Sequence, residues 1–164
     1  MAPADVLREH LLYTAWASGR LVDAAAGLAA EELGRDFGTS EHSVLGTLVH
    51  VFAADRIWLS RVTGEPLAAP ISEADYHLSV LQNDWPRVHD GWNRWAAGLT
   101  DASAAAAISY RDMKGNPHTG AAWEIVLHLV NHGTHHRGQV SGFLRAMGHV
   151  PPVLDLIRYY RERQ

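Results

Sequence analysis

The sequence predicts an all-α fold, a four-helix bundle with a short hairpin and a short C-terminal helix added to it. Three observations carry this. Alanine, leucine and valine dominate an apolar content of 47%, and alanine-rich chain with long proline-free stretches favours helix. Apolar residues recur at helical spacing in four long stretches. A length of 164 residues suits one domain, and four long helices in one domain make a bundle.

Helix one is expected from Pro3 to Leu28. Proline is favourable at a helix start, and Leu7, Leu11, Tyr13, Trp16, Leu21 and Val22 give the repeat. Gly34 to Ser40 is a loop. Ser40 or Ser43 caps helix two, which runs to Val62 and stops at Gly64, with Pro66 and Pro70 beyond. The connection that follows, about ten residues, is long enough for a crossover, so simple up-and-down alternation is not assured. Helix three starts at Ser72, where Ser72-Glu73-Ala74-Asp75 supplies a cap and an acidic first turn. It extends to Gly98, with a kink at Pro86. Ile108-Ser109-Tyr110-Arg111 has strand character and Lys114-Gly115-Asn116-Pro117 is a turn, so residues 108–119 form a two-stranded hairpin. Helix four spans Gly120 to Met147 and ends at Gly148. A fifth, short helix follows Pro151-Pro152.

The formal charge of −4 and the lack of any basic run argue against nucleic acid as a partner. No cysteine is present, which excludes disulfides, thiolate zinc sites and a protein-thiol nucleophile. The segment Met1 to Asp5 lacks the features of a signal peptide, and no apolar run reaches the ~20 residues of a membrane span. A cytoplasmic location without membrane contact is the expectation.

Histidine is the anomaly: eleven in all, four of them between positions 128 and 136. His128, His132 and His136 recur every fourth residue, which brings them onto one side of helix four. Two imidazoles at i and i+4 can address one ion, but a third ligand must come from another helix. On a wheel of ~100° per residue, Ile125, Leu129, Val140, Phe143, Leu144 and Met147 define the apolar stripe. His136 lies within it, His132 at its near edge, His128 further round and His135 furthest out. On helix two, His50 is the histidine well inside the span, beside Gly46, Ala53 and Ala54. That helix is apolar nearly all round, so spacing alone leaves its role as third ligand open. Gly133 and Gly138 either permit close helix contact beside a metal or are tolerated in a well-packed helix.

The segment Asn131-His132-Gly133-Thr134-His135-His136-Arg137-Gly138-Gln139 resembles the NHxxHHRGQ signature of the DinB family. His50 to Arg61 (HVFAADRIWLSR) resembles its helix-two motif. Trp16, Tyr110-Arg111-Asp112 with Lys114-Gly115, and Pro151 to Leu156 are similar to its other segments in order along the chain. The resemblance implies a bundle with helices two and three parallel, a homodimer, and one divalent ion held by His50, His132 and His136. It also implies activities that use low-molecular-weight thiols of the bacillithiol or mycothiol type.

Three imidazoles leave a divalent ion such as zinc or nickel with an open position, as catalytic rather than structural sites do. A small thiol there would become a thiolate and, with no cysteine in the chain, must come from outside. A thiol S-transferase is therefore coherent. A hydrolase would use water activated in the same way and needs a base, for which Asp55 and Glu124 are the candidates. Asp55 is otherwise expected to pair with Arg137 or another arginine at the bundle surface. His128 is a candidate substrate contact or outer donor, or an ordinary hydrogen-bonded histidine. A non-catalytic stress-response module with a metal stapling two helices is the remaining reading.

Overall fold

A computed structural model describes residues 3–164, so the first two residues of the segment read for a leader lie outside it. The elements run α1 (Ala4–Ala26), α2 (Ala30–Leu33), α3 (Val44–Thr63), a 3-10 turn (Glu73–Asp75), α4 (Leu78–Ala97), α5 (Asp101–Ala105), β1 (Ala107–Arg111), β2 (Pro117–Ala121), α6 (Ala122–Ala146) and α7 (Leu156–Glu162). No helix among the described residues is long and apolar enough to cross a membrane.

Local chemistry accounts for the boundaries. Ser43 caps α3, its Oγ accepting the Gly46 N–H at 3.0 Å. Gly64 closes that helix in the left-handed region at φ 74°, where glycine carries no Cβ penalty. Helix three begins later than expected. Asp75 turns back to accept from the Ser72 N–H (2.8 Å) and Oγ (3.0 Å), while Arg56 of α3 holds the same carboxylate at 3.2 Å. That closed cap makes one 3-10 turn, and α4 starts only after His77 and runs on past Pro86. The hairpin is antiparallel, with Ala107 opposite Ala121 and Arg111 opposite Pro117. Gly120 belongs to β2, so α6 starts at Ala122, where Glu124 accepts the Ala121 N–H at 2.8 Å. Residues 151–155 are irregular before α7.

The four long helices bury an apolar stripe each. On α1 the buried positions Leu7, Leu11, Thr14, Ser18, Leu21 and Ala25 follow the helical period. α1 packs on α4 and α6, and α3 packs on the same two, so α1 and α3 face each other across the diagonal. One apolar cluster joins Leu21, Val44, Leu48, Phe52, Trp85 and Leu144. A second joins Leu7, Leu11, Trp92, Ile125, Val126 and Leu129. On each long helix buried polar residues fall between the two clusters: Thr14 and Ser18, Asp55, His89, then His136 and Arg137, while Thr47 and Ser60 of α3 lie nearer its ends. The core is thus apolar at both ends with a polar belt at mid-height. α7 docks on α1 through Tyr13, Ala17 and Tyr159. Tyr13 donates to the Leu154 carbonyl at 2.8 Å, and Trp16 Nε1 and Arg20 both reach Glu162.

Candidate metal centre

Two helices of the polar belt bring three imidazoles together. His50, two turns into α3, and His132 and His136 on α6 each offer a ring nitrogen, and these atoms all lie within 4.8 Å of one another. His50 Nε2 is 3.0 Å from His132 Nε2, and the His136 ring centroid is 4.5 Å from each of the other two. Two imidazole nitrogens on one tetrahedral zinc at ~2.0–2.1 Å stand about 3.3 Å apart; the His50–His132 pair is within a few tenths of an ångström of that, and the third nitrogen lies within 4.8 Å of both, so the donor set fits a divalent ion.

Neighbours set the rings. Gln139, one turn after His136, accepts from its Nδ1–H at 2.8 Å, which leaves Nε2 with its lone pair free. Glu41, in the loop before α3, stands 3.6 Å from His50 Nδ1. His132 Nδ1 is buried without a hydrogen-bond partner among the described residues. Burial, reinforced by the neighbouring His136, His50 and His128, pushes the His132 pKa down to about 4, with Asp55 opposing weakly. Burial also lowers that of His136, against the Gln139 hydrogen bond that raises it. Both rings are neutral at ordinary pH, the form in which imidazole ligates metal.

Asp55 is not at the surface with Arg137. Both are buried in the belt. The Asp55 carboxylate accepts the Trp85 indole N–H at 2.7 Å and faces His89 at 3.4 Å, while its carbonyl accepts from Trp92 at 3.1 Å. Arg137 donates to the hydroxyls of Thr134 (3.1 Å) and Ser18 (3.4 Å) and lies over the Tyr13 ring. Gly133 has a packing reason: a Cβ there would meet Arg137 at 2.7 Å. At Gly138 a Cβ would meet nothing within 4 Å. Glu124 serves the α6 cap, about 12 Å along the helix from His132. His135 and His128 are exposed, as the wheel places them, and His128 packs edge-on against Trp58 at 5.2 Å. Sequence reading gave Gln139 no role, although it lies inside the quoted motif. Glu41 carries no sequence signal, because a loop has no periodicity to point it at His50.

A family model described as DinB family matches residues 3–164. The chain belongs to the DinB family. Protein DinB of Bacillus subtilis (strain 168) is 21% identical over 155 residues, covering 87% of each chain. The crystal structure of a DinB-like protein from Bacillus cereus ATCC 10987 has the same fold, with a TM-score of 0.58 at 20% identity over 84% of this chain and 89% of that one. The DinB signature acquires physical content here. Two of its histidines, His132 and His136, join His50 in the cluster, its arginine lies in the polar belt, and its glutamine hydrogen-bonds one ring.

Proposed function

We propose that this DinB protein holds one divalent ion, zinc or nickel, on His50, His132 and His136, and transfers groups to or from a low-molecular-weight thiol. The observation that carries the reading is the convergence of three imidazoles from two helices. Such an ion supplies an open Lewis-acid position that lowers the pKa of a thiol or water reaching it. The chain's own part is to present the rings. Gln139 fixes the tautomer of His136, burial keeps His132 unprotonated, and Glu41 flanks His50. With no cysteine in the chain, the thiol is external. The hydrolase reading is weaker, because Asp55 is engaged by Trp85 and Glu124 caps α6.

We also infer that α3 and α4 run parallel. The support is that contacts advance in the same sense along both, from Phe52 with Trp85, to Asp55 with His89, to Leu59 with Gly91.

The test is metal analysis of untagged protein, followed by incubation of the loaded protein with bacillithiol, mycothiol or glutathione and a panel of electrophiles. His132→Ala is expected to lose the metal and the thiol consumption while keeping its helix content by circular dichroism. Thiol consumption by His132→Ala equal to that of the native protein would sink the proposal.

A further inference from the structure

We propose that Arg61 is a carboxylate anchor at the far end of a ligand strip that begins at the three histidines, selecting thiols that carry a carboxylate. This rests on the thiol reading above and narrows it to one class.

The strip is continuous. From His132 the rings step to His128 (5.9 Å between centroids), to Trp58 (5.2 Å) and to Tyr110 of the hairpin (5.0 Å). The Arg61 guanidinium lies 4.4 Å from the Trp58 ring centroid and 5.2 Å from that of Tyr110. Arg61 is three helical turns beyond His50 on the same face of α3, about 16 Å along the axis. Part of that distance is covered by the arginine side chain itself. A tripeptide-sized molecule, about 10 Å long when extended, spans the rest.

Arg61 is half-buried, and its Nε is buried with no hydrogen-bond partner among the described residues. Burial lowers its pKa, opposed by the neighbouring Tyr110 and Asp112. Asp112 is already committed. It accepts from the Lys114 and Asn116 backbone N–H groups and from the Asn116 side chain, and faces His118 at 3.3 Å. A planar guanidinium held on two aromatic faces, with its hydrogen-bonding edge left over, is suited to a carboxylate in bidentate fashion. Arg61 and Tyr110 also line a hollow of about 390 Å³ between the end of α3 and the hairpin, which gives such a group room on the arginine edge, with Arg111 and the carboxylates Glu65 and Asp112 on its other walls. Bacillithiol, with its malyl group, and glutathione carry carboxylates remote from sulfur, whereas mycothiol carries none.

The experiment titrates cobalt-substituted protein with bacillithiol and with mycothiol, following the cobalt absorption spectrum. Bacillithiol is expected to bind at least ~10-fold more tightly, as a charge-assisted contact gives. Arg61→Gln should erase that preference with circular dichroism unchanged, and Arg61→Lys should restore part of it. Equal affinity for the two thiols, or an undiminished preference in Arg61→Gln, overturns the anchor and leaves the thiol reading standing. A cobalt spectrum unmoved by either thiol removes the thiol reading instead. The anchor is then read by equilibrium dialysis with malate, which has the carboxylates without the sulfur. Retention by the native protein and loss in Arg61→Gln supports the anchor, and no retention by the native protein overturns it.

Discussion

At the scale of single residues, the centre depends on keeping imidazoles uncharged beside one another. The sign of the resulting pH dependence follows from His132. Its folded pKa is lowered to about 4 from an ordinary 6.5. Between those values the unfolded chain takes a proton that the folded chain refuses, so acid favours unfolding there. The contribution is fully present above about pH 6.5 and is lost progressively as the pH falls toward 4, with His136 acting in the same direction. Melting temperatures of metal-free protein from pH 7.5 to 4.5 should therefore fall, and His132→Gln should flatten the fall. A slope unaltered in His132→Gln would show that other groups are responsible. His132 and His136 were legible in the sequence because four-residue spacing places them on an inward face, whereas His50 was identified only through the resemblance to the DinB family. The engagement of Asp55 was not legible, since a lone carboxylate in an apolar helix gives no sign that Trp85 and His89 on α4 are its partners.

At the scale of elements, the long helices were readable because their apolar period repeats over many turns. The four-residue α2 and five-residue α5 were not, being too short to show a period. The start of α4 was misplaced because Ser72 and Asp75 satisfy the cap rule locally but close a single turn. The glycines of the helices divide by what surrounds them. At Gly46 a Cβ would lie 2.2 Å from the Glu41 carbonyl oxygen, a backbone atom that cannot step aside without moving the loop carrying Glu41. Gly46→Ala is expected to cost on the order of 1–3 kcal/mol. Gly138 is exposed in mid-helix with nothing nearby, so Gly138→Ala should instead stabilise by about 0.5–1 kcal/mol. Urea unfolding of both variants measures the two signs. Destabilisation by Gly138→Ala would mean that the surface of α6 carries a contact between molecules.

At the scale of the whole molecule, the two apolar clusters bridge all four long helices without the histidine cluster, so the fold does not need the ion. An ion bound only by the folded state still adds stability. Free metal at a hundredfold excess over its dissociation constant contributes about 2.7 kcal/mol, on the order of 5–10 °C for a chain of this size. Chelation should lower the melting temperature by that amount with helix content retained, and the His132→Ala protein should not respond. Collapse of the helix signal on chelation would make the metal a structural staple. The bundle arrangement itself was only partly legible. Spacing identifies which faces are apolar, but not that α1 would skip α3 and pack on α4 and α6.

That diagonal placement has a consequence for how the protein is made. α1 leaves the ribosome first, yet the next long helix to emerge, α3, is not its main neighbour. Its packing partners lie at residues 78–97 and 122–146, and the cluster of Tyr13, Trp16 and Ala17 is finished only by α7, far along the chain. At ~5–20 residues per second, the apolar stripe of α1 goes unburied for seconds, and its last contact waits for α7 to emerge. The first of the long helices to be synthesised is the last to be completed, and it is there that a chaperone has the longest opportunity to bind.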